Sequence, residues 1–338
     1  MNIYTEAGYP DIDSWMDENI PYIFVCGGRA TGKTYSALLY ALNKRKRFMF
    51  LRNSQTQVKR LMQPQYNVFK KLNADQGEDI QVKKDGDSGI FYDKKREEEI
   101  GYLAALSTFS NFRGPDLSDV ELIVWDEFIP EAQERIVANI GTVFMNAYET
   151  ISRNREIEGR PALPVLFLAN SNRLDNPIFV ELGLVREAEK MTKKGIQYKI
   201  NRERGYMIIF LNESPISKKK QDTALYKLVG ERSSFYQMSI ANSFNMEDTD
   251  LIRSLPLREY NPLVNVGELT IYQHKSNGSF YASGHMIRGA EEYLSTKADL
   301  ERFRQRYLWL YRRYLQQLVF FEDYMSLALF CIYLRGKR

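Results

Sequence analysis

Short apolar runs alternate with segments of helical length along the first two thirds of the chain. The runs rich in β-branched and aromatic residues predict strands at 22–25, 48–51, 122–125, 165–169 and 207–211. The intervening segments predict helices at 33–42, 55–72 and 131–150. Strands separated by helices indicate an α/β fold, in which helices cover both faces of a mostly parallel sheet.

Residues 79–106 depart from this alternation. Their short apolar runs lie on either side of the turn sequence KKDGDSG, which predicts an antiparallel extension of the sheet. Farther along, the polar sequence SPISKKKQ at 214–221 is rich in residues that break regular structure, and it predicts a linker. We therefore expect three segments: an α/β domain at 1–212, a linker at 213–235 and a small α+β domain at 236–338.

The last third of the chain carries one hairpin signal and one helix signal. The runs 268–274 and 279–283 flank the sequence SNG, which is typical of a hairpin. A helix is indicated by apolar residues that recur at spacings of three and four: Phe303, Tyr307, Leu310, Tyr314 and Leu318. Glu322 and Asp323 interrupt the apolar stretch 318–334, so we expect no membrane span there.

The composition narrows the class of protein. The chain has 338 residues, more than one core usually holds, and its 44% hydrophobic and 27% charged residues exclude disordered, collagen-like and coiled-coil proteins. Two cysteines and two histidines cannot build a disulfide framework or a zinc cluster. The net charge of +4 is too small to indicate nucleic-acid binding by itself. The opening sequence MNIYTEAGYPDIDSW lacks the pattern of a signal peptide, so we expect a cytosolic protein.

One motif matches the phosphate-loop pattern G-x-x-x-x-G-K-[ST] at every position: Gly27, Gly28, Arg29, Ala30, Thr31, Gly32, Lys33 and Thr34. It follows a predicted strand and opens a predicted helix, which disfavours the alternative of a glycine turn with a chance lysine. Glycines there let backbone N–H groups surround phosphate oxygens, and the start of the helix adds partial positive charge. We expect Lys33 to reach the β and γ phosphates and the Thr34 hydroxyl to hold Mg²⁺.

Two acids follow the apolar run 122–125. Because parallel sheets bind ligands at the carboxyl ends of their strands, Asp126 and Glu127 should lie beside the phosphate loop. We expect Asp126 to hold the Mg²⁺ shell and Glu127 to orient and activate the attacking water. The second acid predicts hydrolysis of ATP rather than binding alone.

An amide follows the run 165–169, because Asn170 ends that predicted strand. At the same sheet edge it can hydrogen-bond both the γ phosphate and the water held by Glu127. The alternative is an ordinary asparagine turn. Arg153 and Arg155, in the sequence SRNRE, follow the predicted helix 131–150, and by residue type alone they are surface residues.

The order GGRATGKT, LIVWDEF and LFLANSN followed by NPIF resembles the terminase-type DNA-packaging ATPases of tailed phages. Within that group it resembles in particular the small prohead-RNA-dependent packaging ATPases of podophages. The resemblance implies an ASCE-type P-loop NTPase fold and covers roughly residues 23–244. It assigns Arg29 to the arginine of terminase phosphate loops, Arg52 to the arginine after the second strand and Asn170 to the coupling position. In the segment ending R-N-R-E, it makes Arg153 the finger that acts on a neighbouring subunit.

In related terminases the second domain is an RNase H-like nuclease, which needs several carboxylates around two metals. Here the predicted strand ending at 274 contains no acid, and only Glu268 stands at its entrance. Glu247, Asp248 and Asp250 cluster in a loop-like context. We therefore expect a vestigial nuclease-like domain without nuclease activity.

The resemblance implies a ring-forming ATPase that pumps double-stranded DNA into a preformed capsid, with ATP and Mg²⁺ as cofactors. The implied partners are the DNA, the portal of the prohead, prohead RNA and other copies of the chain, with a pentameric ring expected. The location would be the host cytoplasm and, transiently, the portal vertex. Base-independent DNA contacts should come from basic residues; the candidates are Arg113, Lys218, Lys219 and Lys220.

Three alternatives share parts of this sequence evidence. A large terminase would add a live nuclease in the second domain. A helicase or another DNA-loading ATPase would share the phosphate site but act on other substrates. A nucleotide-gated assembly scaffold would bind ATP without turnover, and Glu127 argues against it.

Overall fold

A computed structural model describes residues 1–112, 116–130, 139–170, 174, 176–212, 214–220, 222–229, 233 and 249–335. The chain divides into two compact units. The first comprises Met1–Asn172 and Met191–Phe244, and the second comprises Arg173–Lys190 and Asn245–Arg338.

Within the described residues, the first unit contains a nine-stranded sheet in the order β3-β4-β5-β2-β6-β7-β1-β9-β8. The strands are β1 Tyr22–Cys26, β2 Phe48–Arg52, β3 Ile80–Asp85, β4 Ser88–Asp93, β5 Glu98–Ala105, β6 Leu122–Asp126, β7 Val165–Ala169, β8 Tyr198–Asn201 and β9 Tyr206–Phe210. The six strands from β5 to β9 in this order run parallel. All five strands predicted for the α/β domain are therefore confirmed. They are apolar throughout because the central strands are buried on both faces.

The edges of this sheet are antiparallel. β3 and β4 form a hairpin around Gly86 and Asp87, and β4 pairs antiparallel with β5. β5 in turn pairs parallel with β2, so it joins the extension to the main sheet. The predicted antiparallel extension at 79–106 is confirmed. At the other edge β8 pairs antiparallel with β9.

The helices of the first unit include α1 Ile12–Met16, α2 Lys33–Asn43, α3 Gln55–Leu61, α4 Lys70–Gln76 and α5 Ile140–Ser152. The prediction of a single helix at 55–72 is wrong, because a 3₁₀ turn at Pro64–Tyr66 separates α3 from α4. Pro64 lacks the N–H that a continuous helix needs. The second part of the predicted helix at 131–150 corresponds to α5. Residues 131–138 lie outside the described residues.

The segment predicted as a linker contains two short helices, α8 Pro215–Lys220 and α9 Ala224–Val229. Its described residues fall in the first unit. The side chain of Ser214 is fully buried, and a Cβ on Gly8 would stand 2.8 Å from Cβ of Pro215. This close packing ties the start of the segment to the first unit.

Where the structure describes the second unit, it contains a five-stranded sheet in the order β13-β10-β11-β12-β14. Its strands are β10 Tyr260–Val266, β11 Leu269–His274, β12 Phe280–Ser283, β13 Glu291–Tyr293 and β14 Val319–Phe321. β11 and β12 pair antiparallel, which confirms the predicted hairpin. β10 was not predicted, because Pro262 and an irregularity in register between Pro262 and Val264 disturb its alternation.

The predicted long helix of the second unit is two helices, α10 Lys297–Tyr307 and α11 Trp309–Leu315, followed by β14. Phe303, Tyr307 and Leu310 are buried as their spacing predicts. The expectation of one helix that runs on to Leu318 is wrong, since β14 begins at Val319 and pairs with β12. The last helix is α12 Tyr324–Arg335.

Residues 173–190, which the sequence assigned to the first domain, group with the second unit. They include α6 Pro177–Glu181 and most of α7 Val185–Lys193. Arg186 Nε lies 2.7 Å from Asp323 Oδ2, and the backbone N–H of Tyr324 donates to Glu189 Oε2 over 3.3 Å. These polar contacts join residues more than 130 positions apart in the sequence, so no local pattern could predict them. Across the described residues, no helix is long and apolar enough to cross a membrane.

Candidate active site

The phosphate-loop motif forms the turn between β1 and α2. Gly32 precedes the helix with φ +90°, and a Cβ on it would stand 2.5 Å from Tyr9 Cδ1. A Cβ on Gly27 would stand 2.6 Å from Cβ of Leu211. Only glycine fits at these two positions, because the first needs a left-handed backbone and both need space. The non-glycine Ala30 also has a positive φ, +56°, which adds strain to the turn.

Lys33 turns its ammonium back onto this loop. Nζ donates to the carbonyl oxygens of Gly27 and Gly28 over 2.9 and 2.7 Å, and the residue is 4% exposed. A buried ammonium held by neutral carbonyls is well suited to an anionic ligand. Burial raises the pKa of the adjacent Cys26 thiol to about 12, and Lys33 offsets this only in part, so Cys26 stays a neutral core residue.

Asp126 ends β6 and faces the start of α2. Its Oδ1 accepts from the Thr34 hydroxyl over 2.9 Å, and its Oδ2 accepts from Arg52 Nη1 over 2.6 Å. Asp126 is 7% exposed. A hydroxyl and a carboxylate held side by side are the oxygen donors that Mg²⁺ prefers in phosphate sites. The structure thus brings together the two residues predicted to bind the metal.

Glu127 follows Asp126 in a left-handed backbone conformation with φ +58°. Its carboxylate is hydrogen-bonded to Arg52 Nη2 and lies 3.4 Å from Asn170 Nδ2. Arg52 therefore bridges both acids from the end of β2. Asn170 comes from the end of β7, so the predicted meeting of three strand ends at one edge is realised.

Asn53 contacts the backbone of Glu127 and the side chain of Trp125, and the sequence did not predict this role. Its Nδ2 donates to the backbone carbonyl of Glu127 over 2.7 Å, and its Oδ1 accepts from Trp125 Nε1 over 2.8 Å. Asn53 is 4% exposed and Trp125 is fully buried. The single sequence signal that could have pointed to it is its position, a polar residue directly after the strand that carries Arg52.

A cavity of about 480 Å³ opens beside Glu127. Its polar lining comes from Arg29, Arg52, Gln57, Arg60, Glu127 and Asn170. Gln57 and Arg60 lie on α3, and sequence reasoning missed both because their helix carries no motif. Arg29, Arg52 and Asn170, which come from three separate segments, therefore line the same cavity.

Arg153 and Arg155 follow α5 and differ sharply in environment. Arg153 has φ +51°, an uncommon conformation for a residue with a side chain, and its half-exposed guanidinium lies 3.3 Å from Asp116. Arg155 is buried and donates from Nη1 to the Val120 carbonyl over 2.6 Å. Burial, with a smaller effect of Arg160, lowers the pKa of Arg155. The first arginine is presented at the surface, and the second is a structural residue.

The candidate DNA contacts are largely beyond what the structure describes. Arg113 lies outside the described residues, and so do Glu247 and Asp248. Lys218, Lys219 and Lys220 belong to α8; only the Lys219 side chain is described, and it is exposed. In the part of the chain that the structure covers, no three His, Cys, Asp or Glu side chains form a group that could hold a metal ion.

Comparison with known proteins supports the resemblance noted in the sequence. The family described as "Podovirus DNA encapsidation protein (Gp16)" matches residues 10–256. The DNA packaging proteins of Bacillus phages PZA and phi29 are each 24% identical over 226 residues, which is 65% of this chain. The match spans 61% of the length of these curated relatives.

Solved structures share the fold over nearly the whole chain. A chain of the bacteriophage Phi-29 viral genome packaging motor assembly matches with a TM-score of 0.68 at 19% identity, covering 96% of this chain and 99% of its own length. The Phi-28 gp11 DNA packaging motor matches with a TM-score of 0.66 at 18% identity, covering 96% and 97%. Since the family match covers residues 10–256 and includes the phosphate loop, both acids and Asn170, this chain belongs to the podovirus DNA encapsidation protein family.

Proposed function

We propose that this protein is an ATP-driven motor that moves double-stranded DNA into a preformed phage capsid. The observation that carries the proposal is the contact between Thr34 and Asp126, with Glu127 next to it, at the mouth of the phosphate loop. A nucleotide-binding protein needs the first two residues, whereas hydrolysis also needs a base where Glu127 lies. Membership of the encapsidation family supplies the biological setting.

The residues fit ATP with Mg²⁺ on three counts. The glycines at 27 and 32 allow the tight turn of the loop, Lys33 offers a buried positive charge, and Thr34 with Asp126 offers oxygen donors. When bound, Mg²⁺ neutralises charge on the phosphates and orients them. We place the fold of the first unit in the ASCE class of P-loop NTPases, since an additional strand, β7, lies between the phosphate-loop strand β1 and the acid-bearing strand β6.

Glu127 is the proposed base for the attacking water. In the structure Arg52 and Asn170 contact its carboxylate, and we propose that Glu127 exchanges one of these partners when it takes a proton from water. Asn170 is the residue that can sense this exchange, because its amide lies against the same carboxylate. Coupling to the DNA would then run through Asn170 to the loops that grip the DNA backbone.

Arg153 is the proposed finger that completes the site of a neighbouring subunit. Its surface position and strained backbone support this role. Arg155 is not a candidate for the same role, because it is buried and bonded to the Val120 carbonyl. A guanidinium supplied in this way contributes about 10³-fold or more to the rate. Such sharing requires a closed ring, for which we propose five copies of the chain.

The second unit is proposed to be a vestigial nuclease-like domain that binds rather than cuts. Neither β10 nor β11 contains an acidic residue, and Asn265, buried in β10, hydrogen-bonds Thr270 instead. Proposed partners are double-stranded DNA, the portal of the prohead and prohead RNA, at the portal vertex in the host cytoplasm. Lys218 to Lys220 and Arg113 remain candidates for contact with the DNA backbone.

The test measures ATP turnover by the purified full-length chain with and without double-stranded DNA. Arg153→Ala is assayed alone and mixed with wild type, and Arg160→Ala removes a guanidinium from the same segment as a matched control. We expect DNA to stimulate wild type, Arg153→Ala to be nearly inactive, and mixtures to fall below simple averaging. Turnover that ignores DNA, with Arg153→Ala close to wild type, would contradict the motor.

The same preparation separates the alternatives. Metal-dependent cleavage of plasmid DNA would indicate a terminase with a live nuclease. DNA-stimulated turnover that does not depend on capsids, with strand separation, would indicate a helicase or loader. Full function of Glu127→Gln in assembly, without turnover, would indicate a scaffold.

A further inference from the structure

The cavity beside Glu127 has one wall that the proposed hydrolysis does not use. That wall is α3, which contributes Gln57 and Arg60, and it faces a lining that includes Arg29 and Arg52. Three guanidinium groups and one carboxylate therefore surround the space. A lining with this charge balance favours an anion.

Arg52 is engaged by the two acids. Its terminal nitrogens bind Asp126 and Glu127, and its Nε is buried and not exposed to the cavity. Contacts to an anion in the cavity would therefore come from the other lining residues, which include Arg29, Gln57 and Arg60.

The side chains of α3 are held in a way that suits anion binding. Gln57 belongs to a capping box in which its Oε1 accepts from the backbone N–H of Ser54 over 3.1 Å. The other end of that carboxamide is an NH₂ group, which can only donate. The guanidinium of Arg60 stacks on Tyr66, with 4.5 Å from Cζ to the ring centre, which restrains its plane.

The position of the cavity suggests which anion it takes. Lys33 and Thr34, which are placed to hold the phosphates of a bound nucleotide, do not line it. A neighbour's guanidinium would add a fourth positive charge, so the finger is a poor occupant. A phosphate that has just left the nucleotide has the right charge, and if Glu127 activates the attacking water, the phosphate forms next to this cavity.

We propose that Arg60 and Gln57, with Arg29, form an outer phosphate site that receives inorganic phosphate after hydrolysis. The proposal rests on the proposed function, in which water and ATP give ADP and phosphate. No bond forms or breaks in the outer site itself. The site would hold inorganic phosphate beside the acid pair, so that hydrolysis of ATP and release of phosphate become separate steps.

The test is calorimetric titration of the full-length protein with inorganic phosphate, with and without saturating ADP and Mg²⁺. Arg60→Ala removes the proposed contact and Arg60→Lys keeps its charge. Gln57→Glu keeps the capping box, in which glutamate serves as well, but places a carboxylate toward phosphate. Lys59→Ala is the matched control, because Lys59 is an exposed cation on the same helix that does not line the cavity.

We expect Arg60→Ala and Gln57→Glu to weaken phosphate binding about tenfold and Arg60→Lys about threefold. Lys59→Ala should stay within about twofold of wild type. Equal phosphate affinity in all variants would overturn the proposal. So would weakened binding of a non-hydrolysable ATP analogue relative to ADP in Arg60→Ala with phosphate binding unchanged, since Arg60 would then serve the bound nucleotide.

Phosphate titration needs no turnover, so the two proposals can fail separately. Phosphate binding that depends on Arg60 in a protein without ATPase activity would refute the motor and keep the anion site. ATPase activity with phosphate binding indifferent to Arg60 and Gln57 would do the reverse. If Arg60→Ala does not fold, as judged by circular dichroism, Gln57→Glu and Arg60→Lys decide the outcome.

Discussion

Replacing Asn53 by alanine tests whether its hydrogen bonds hold Glu127 in the conformation that the structure shows. Asn53 is 4% exposed, and its two bonds join the Glu127 carbonyl at 2.7 Å and the Trp125 indole at 2.8 Å. Alanine would leave a buried indole N–H and a backbone carbonyl without these partners. An unsatisfied buried group costs about 1–3 kcal/mol, so we expect the free energy of unfolding to fall by about 2–4 kcal/mol.

The same change should lower turnover more than nucleotide binding. Glu127 has φ +58°, a conformation that costs about 1–2 kcal/mol for a residue with a side chain, and the bond from Asn53 helps to hold it. Without that bond we expect the carboxylate to shift, and kcat for ATP to fall about 10- to 100-fold. The KM for ATP should change less than about threefold, because the phosphate loop is untouched.

The assays are urea unfolding followed by circular dichroism and steady-state ATP turnover. Trp125→Phe is the control background, because it removes the indole N–H and leaves an aromatic ring at the position that in wild type stacks on Phe144 at 4.7 Å. In that background the stability cost of Asn53→Ala should be smaller by about 1 kcal/mol. A change below about 0.5 kcal/mol in the wild-type background, together with unchanged kcat, would refute this account of Asn53.

Three further predictions follow from single residues. Arg155→Ala removes the donor to the Val120 carbonyl at 2.6 Å and should lower the free energy of unfolding by about 2–3 kcal/mol. An unchanged free energy of unfolding in urea would contradict the structural role of Arg155. Burial alone would raise the pKa of Asp93, but hydrogen bonds from Arg96 and from backbone N–H groups lower it below 3.8, so its stabilisation is present above that value and is lost as pH falls through the folded pKa. Asp93→Asn should therefore have a lower free energy of unfolding than wild type at neutral pH. As the pH falls through the folded pKa of Asp93, the variant should lose less stability than wild type, as measured by urea unfolding at a series of pH values. Because burial raises the pKa of Cys26 to about 12, its thiol should resist iodoacetamide at about pH 8 in the folded protein and react after unfolding, as followed by mass spectrometry.

The strands and the phosphate loop could be predicted because their signals are local. A central parallel strand is buried on both faces, so it appears as an unbroken apolar run, and β1, β2, β6, β7 and β9 all do. Residues placed directly after such runs must meet at one edge of the sheet. That rule was enough to predict that Asp126 lies beside the phosphate loop, where it contacts Thr34, and that Asn170 lies beside Glu127.

The errors lie where local patterns compete with pairing to distant segments. β10 contains Pro262 and an irregular register, and its pairing with β11 and β13 overrides the weak strand signal. The apolar stripe of the last third continues past Leu315, yet pairing with β12 makes Val319–Phe321 a strand. Residues 173–190 join the second unit through contacts to residues 323 and 324.

By itself, the sequence determined the α/β class, the turn of the phosphate-loop motif and the position of the acid pair, because burial periodicity and glycine geometry act over a few residues. Only the tertiary structure decided which side chains surround the acids. The order β2-β6-β7 sets Arg52 on both carboxylates, puts Asn53 beneath Glu127 and brings Gln57 and Arg60 to the cavity. These contacts join residues about 70 positions apart, and strand order in a sheet is a property of the whole chain.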